Sequence, residues 1–279
     1  MLSSHLADVI IIVFVILCAA VLGSFANVLV YRLPLQILKP DHQSNGSFNI
    51  AVPSSHCPSC QTPLKWWHNI PLLSFILLRG RCAFCQAAIG WRYFWIELGT
   101  VALAVACMWL FGVSTMALAA FAFVYILWVL SWIDAQHGLL PDVLTLGLLV
   151  SGLLLKVWFT PWALLDAVFG AALGYALLWL PYMFYLKWRG VVGLGLGDCK
   201  LLAAVGAWLG WAFIPTVALL ASVLGLFYGV VLFVRSRSES MVDLGAVQIP
   251  FGPFIAIASV VVALGSSSIV RLVPPIFGS

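Results

Sequence analysis

Charge is what this chain has least of. Only 8% of its 279 residues are Asp, Glu, Lys or Arg, while 64% are hydrophobic and 13 are Trp. A soluble domain carries about 25% charged residues. No water-soluble fold can hide this much apolar surface, so the bilayer must be part of the solvent. The formal net charge is only +4, too small and too closely tied to loop ends for nucleic-acid binding. It reads as an orientation signal. Alternation is lacking too: the apolar runs are continuous, which excludes a transmembrane β-barrel. The first run has no basic flank, carries Asp8 and leads straight into Tyr31 and Arg32, so it is not expected to be a cleaved signal peptide. The glycines between Gly193 and Gly197 open no βαβ unit, so a Rossmann-type fingerprint is also missing.

Apolar runs fall near 8–31, 93–111, 115–133, 143–160, 163–186, 198–211, 214–234 and 253–273. At roughly 20 residues per span they predict an all-α polytopic membrane protein of about eight transmembrane helices. The run at 198–211 is short, and is expected to be tilted or fused with its neighbour across Trp211 to Pro215. Three parts are expected: a first transmembrane helix at 1–31, a small zinc-binding cytoplasmic loop domain at 32–92, and a membrane core of about seven helices at 93–279. The loop opens on a polar stretch, Asp41-His-Gln-Ser-Asn-Gly-Ser47. If it is cytoplasmic, Arg32, Lys39, Lys65, Arg79, Arg81, Arg92, Lys187, Arg189, Lys200, Arg235 and Arg237 share its side. Only Lys156 and Arg271 then fall outside, which is a positive-inside pattern.

The chain has seven cysteines. Cys18, Cys107 and Cys199 lie in or beside apolar runs, where a thiol is an ordinary filler. The other four form Cys57-Pro-Ser-Cys60 and Cys82-Ala-Phe-Cys85. Each pair can place two thiolates on one turn, and two such turns close a tetrahedral zinc site. Four thiolates leave no open position, so the zinc would be structural, stapling a domain with little core. A disulfide framework is disfavoured for a cytoplasmic loop. His56 and His68 are expected to be polar surface residues.

Charged groups within apolar runs need a reason. Four stand out: Glu97, Asp134, Asp142 and Asp198. Asp134 ends the third run, in Trp132-Ile-Asp-Ala-Gln-His-Gly-Leu-Leu-Pro-Asp142. Asp198 opens the sixth, in Gly193-Leu-Gly-Leu-Gly-Asp-Cys-Lys-Leu201. The proposed orientation puts both at the cytoplasmic boundary, where they can meet. Two facing carboxyls share a proton, and the pair can activate water while protonating an amide carbonyl. The glycines before Asp198 would let the backbone unwind and a substrate strand approach. Capping or an ion-pathway role stands beside the catalytic reading. Asp142 follows Pro141 and looks like an N-cap or first-turn acid. Glu97 reads as a buried structural group and as a candidate for a second activity. A transporter or channel is the competing class, since membrane carboxylates suit ion coupling. Against it, the acids cluster at one face. Gly170-x-x-x-Gly174 and Gly206-x-x-x-Gly210 permit close helix contacts within the chain or in a homodimer.

These motifs together resemble the bacterial type IV prepilin peptidases. Gly23-Ser-Phe-Ala-Asn-Val-Leu-Val-Tyr-Arg-Leu-Pro34 is similar to the first-helix signature of that family. The two C-x-x-C pairs match in position. Asp134 with Leu140-Pro141-Asp142 and Thr145 resembles the motif around the first catalytic aspartate. Gly195-Leu-Gly-Asp-Cys-Lys-Leu201, continuing to Gly206-Ala-Trp-Leu-Gly210, resembles the G-x-G-D motif around the second, and Pro250-Phe-Gly-Pro-Phe254 a late segment. The resemblance implies an aspartic endopeptidase of the bacterial inner membrane, with Asp134 and Asp198 as its pair and Gly195, Gly197 and Lys200 supporting the catalytic loop. It implies cleavage of prepilins or type II secretion pseudopilins after a glycine, then methylation of the new N-terminal amine from S-adenosylmethionine. The four cysteines favour the two-activity type. No motif marks a methyl-donor site; proximity alone directs attention to the 32–92 loop, the segment from Gly23 to Pro34, and Glu97.

Overall fold

The computed structural model describes residues 2–38, 49, 52, 55–190, 195–238 and 249–265. The polar stretch 41–47, Lys39, Gly193 and Arg271 lie outside these residues.

Each of the eight apolar runs forms a helix. In chain order these are α1 (Leu2–Leu38), α3 (Trp91–Phe111), α4 (Thr115–His137), α5 (Asp142–Phe159), α6 (Leu164–Arg189), α7 (Leu196–Leu209), α8 (Ile214–Ser238) and α9 (Gly252–Gly265). In the long loop the described residues form one short α-helix, α2 (Leu73–Leu77), and a 3-10 turn, Trp66–Asn69. Among the described residues, six helices are long and apolar enough to cross a membrane. The 14-residue α7 and α9 are shorter.

Two boundaries differ from expectation. First, α1 does not stop at residue 31. Arg32 is buried, and its guanidinium donates to the Asn49 carbonyl at 3.0 Å. That bond satisfies one of its N–H groups within the fold, and the helix continues past it, through Pro34. Second, α7 and α8 are not fused. Gly210 takes φ +89°, where a Cβ would strike the Asp166 carboxylate. A short 3-10 turn, Trp211–Phe213, separates the helices.

The chain forms two compact units, residues 1–117 and 118–279. In the first, α1 packs along α3. The contact is close because Gly23 has no side chain: a Cβ there would stand 2.9 Å from the Glu97 Cα. In the second unit, α7 is the centre. Every residue from Asp198 to Leu209 is buried except Lys200. A helix apolar on all sides belongs inside a bundle. Gly170 and Gly174 of α6 lie against the α7 backbone, and a Cβ on Gly170 or Gly206 would run into the other's carbonyl. These glycine pairs are thus taken up inside the chain. Trp208 locks the far end: its indole N–H donates to the Leu148 carbonyl at 2.7 Å, and its ring packs on Phe123. Outside, Trp109, Trp158, Trp162 and Trp188 are 74–84% exposed. All four sit at helix ends, the level at which Trp marks a membrane interface.

Candidate active site and cysteine knuckle

Asp134 lies in the last turns of α4 and is buried, 5% exposed. Its Oδ2 accepts the backbone N–H of Gly252, the first residue of α9, at 2.8 Å. Asp198 lies in the first turn of α7 and is 7% exposed. The two carboxyls are near enough to act electrostatically on one another. Asp198 Oδ1 is buried and has no hydrogen-bond partner among the described residues. Two acids from runs far apart in sequence are therefore both buried in the second unit and act on one another. That arrangement suits a shared proton.

Gly195, Gly197 and Lys200 stand in or beside the first turn of α7. Gly195 is extended and precedes α7; a Cβ on it would lie 3.4 Å from Asp198 Oδ2. Gly197 is already helical, so the backbone is not unwound there. A Cβ on Gly197 would come within 2.9 Å of the Leu140 Cβ. Its glycine thus serves the packing of α7 against the Leu140-Pro141 turn. Lys200 forms an ion pair with Asp142 at 2.6 Å. Asp142 is a first-turn acid of α5, with Pro141 at the N-cap. The Lys200–Asp142 pair ties the start of α5 to the start of α7. Thr145 is buried, and its hydroxyl bonds back to the Pro141 carbonyl at 3.3 Å.

In the first unit the two C-x-x-C pairs form matching knuckles. Gln61 N–H returns to the Cys57 carbonyl at 2.9 Å, and Gln86 N–H to that of Cys82 at 3.1 Å. Gln61 and Gln86 both take φ +58°. Bridges between His56 and Pro63 and between Arg81 and Ala88 close each turn. The four Sγ atoms lie within 4.8 Å of one another, with Cys57 and Cys85 3.8 Å apart. Thiolates about 2.3 Å from a tetrahedral zinc stand about 3.8 Å apart. Hydrogen bonds from the Thr62 side chain and backbone lower the Cys60 thiol to about 6, and backbone N–H groups of Cys85 and Phe84 lower Cys82. Cys57, Cys60, Cys82 and Cys85 thus have the spacing of a tetrahedral metal site. His56 belongs to the first knuckle's bridge, while His68 packs edge-on against Phe84.

Residues 17–111 match the bacterial peptidase A24 N-terminal domain, and residues 121–230 match the type IV leader peptidase family. A prepilin leader peptidase/N-methyltransferase of Burkholderia pseudomallei (strain 1026b) is 44% identical over 257 residues, covering 87% of this chain and 82% of its own length. Proteins of the same description from Aeromonas hydrophila and Stutzerimonas stutzeri are 41% and 39% identical, each covering at least 91% of both chains. The chain belongs to the type IV leader peptidase family. No solved structure matches it.

Within that family assignment, one site residue has a role that sequence reasoning did not give it. Gly252 stands in the Pro250-Phe-Gly-Pro-Phe254 segment, beyond the matched span 121–230. A Cβ on it would stand 2.7 Å from Asp134 Oδ2. The only signal available in sequence was a glycine between aromatics at a helix start.

Proposed function

We propose that this protein cleaves leader peptides from type IV prepilins or type II secretion pseudopilins, after a glycine, at the cytoplasmic face of the bacterial inner membrane. We further propose that it methylates the N-terminal amine so released, with S-adenosylmethionine as donor. The observation that carries the peptidase reading is the pair of buried carboxyls, Asp134 and Asp198, in a member of this peptidase family.

The chemistry follows from their different surroundings. The Gly252 N–H donates to Asp134 Oδ2 and the Gly195 N–H faces the Asp198 carboxyl, but Asp198 Oδ1 has no donor among the described residues. The shared proton therefore rests on Asp198. Asp134 takes a proton from the attacking water. Asp198 gives its proton to the scissile carbonyl oxygen, and the proton returns through the pair to the leaving amine. The family assignment does not support the transporter reading.

Support for the orientation is the gathering of basic residues on the side of the 32–92 segment. That segment is the zinc-binding domain: Cys57, Cys60, Cys82 and Cys85 would hold the ion, which supplies a rigid crosslink and no reaction step. The bilayer and the prepilin are the partners this reading requires. The glycine faces between α6 and α7 are occupied within the chain, so a homodimer would use another surface. Purified protein incubated with a prepilin should shorten it to the mature pilin. An unchanged substrate mass with folded, metal-loaded protein would reject the peptidase reading.

A further inference from the structure

The first unit contains a cavity of about 310 Å³, a size that suits a cofactor-scale ligand. Its walls come from the second half of α1, the start of α3 and the loop that carries the knuckles.

The cavity has buried polar groups waiting for a partner. Asn27 is nine-tenths buried. Its Nδ2 donates to the Tyr93 carbonyl at 3.2 Å and to Glu97 Oε1 at 3.3 Å. Its Oδ1 has no partner among the described residues, and the same is true of His68 Nδ1. Both side chains line the cavity. Leaving such atoms unpaired costs free energy that a polar ligand would recover.

Glu97 is held in place with unusual firmness. Its Oε2 accepts the Leu72 N–H at 2.8 Å. Leu72 sits at φ +60°, ψ −48°, and the next N–H reaches back to the Pro71 carbonyl at 2.6 Å. This is a γ-turn, in a backbone region that branched residues rarely enter. Strain of this kind persists where the surroundings over-determine a position, and it gathers at functional sites.

An acceptor oxygen and a carboxylate at a cavity wall select a ligand with positive charge and N–H donors. On the two-activity reading above, methyl transfer brings two such groups together, a sulfonium and a terminal amine. The buried Arg32 guanidinium lines the same wall and matches the donor's carboxylate. Tyr31, Tyr93 and His68 also line the cavity.

We infer that this cavity is the methyl-transfer site. It binds S-adenosylmethionine with the sulfonium toward Glu97, and Asn27 Oδ1 and Glu97 receive the substrate's N-terminal ammonium. That ammonium gives one proton to the Glu97 carboxylate. The freed nitrogen lone pair attacks the methyl carbon, forming the C–N bond as the C–S bond breaks. The bond pair returns to sulfur, leaving S-adenosylhomocysteine as a neutral thioether. Nitrogen now carries the methyl group and the positive charge, and Glu97 passes its proton to water. Aligning the amine with the methyl group is the larger part of the task.

The test uses the full-length purified protein, with S-adenosylmethionine carrying a tritiated methyl group. Ultraviolet crosslinking and peptide mapping of the wild type should place the label within residues 24–97; label confined to 118–265 overturns the assignment. With a pre-cut pilin peptide as acceptor, Glu97→Gln should lower methyl transfer by about 100-fold or more, the scale of a lost general base. The acid limb of its pH–rate profile should move, while cleavage of intact prepilin and the metal content stay at wild-type levels. A Glu97 with a structural role only would leave that profile unchanged, and wild-type methylation by Glu97→Gln rejects the inference. Should Glu97→Gln lose its metal, Asn27→Ala decides: it should weaken labelling at least 10-fold, and full labelling counts against the site. A wild-type protein that cleaves prepilin yet never transfers methyl overturns the two-activity reading itself, which is distinct from a label mapping elsewhere.

Discussion

Replacing Gly252 by alanine tests whether α9 positions the catalytic pair. The added Cβ would stand 2.7 Å from Asp134 Oδ2, 3.1 Å from its Cγ and 3.3 Å from its Cβ. Ordinary contact begins near 3.4 Å, so the carboxyl must retreat by about 0.7 Å. That movement also stretches the 2.8 Å bond from the Gly252 N–H. In a helix, Gly→Ala is otherwise favourable by about 0.5–1 kcal/mol, so intrinsic propensity opposes the expected loss. Overpacking at a buried site costs about 1–3 kcal/mol, and misplacing a reacting group by about 1 Å can cost about 100-fold in rate. Gly252→Ala should therefore lower kcat/KM for prepilin cleavage by roughly 100-fold while the protein still folds and keeps its metal. Gly265→Ala is the matched control on the same helix, because a Cβ there meets nothing within 4 Å. Mass spectrometry of the cleaved pilin over time gives the rates. Wild-type cleavage by Gly252→Ala would refute the positioning role.

Other outcomes follow from the same geometry. Asp142→Asn should cost about 1 kcal/mol or less, because its pair with Lys200 is partly exposed and such pairs are weak; thermal unfolding in detergent measures this, and cleavage should persist. Cys57→Ser with Cys60→Ser should remove about one zinc per chain, as read by metal analysis, with cleavage affected only secondarily; a metal-free wild type would contradict the knuckle. Gly206→Ala should destabilise the second unit by about 1–3 kcal/mol or more, since its Cβ would meet the Gly170 backbone; an unchanged melting temperature would count against the tight α6–α7 packing.

The eight helices were legible because continuous apolar runs have no other reading in a chain this poor in charge. The knuckles were legible too, since paired C-x-x-C spacing is short-range and chemically narrow. What the sequence hid was non-local. Arg32 ends an apolar pattern, but the Asn49 carbonyl that satisfies it cannot be read from periodicity. Lys200 and Asp142 each had a local explanation, and only the fold pairs them. The Gly252 to Asp134 bond spans 118 positions. Gly197 looked like a device for substrate access, whereas its missing Cβ is filled by Leu140. Glu97 was visible as an anomaly, but not its grip on Leu72, because no local rule anticipates a γ-turn at a leucine.

Asp134→Asn and Asp198→Asn test whether the two carboxyls act as one catalytic unit. A pair that shares one proton needs both members. Each purified variant, shown to be folded and metal-loaded, is incubated with prepilin, and the N-terminus of the product is sequenced. Neither variant should yield mature pilin, beside normal processing by the wild type and substantial processing by Asp142→Asn. Full cleavage by Asp134→Asn or by Asp198→Asn would contradict that reading.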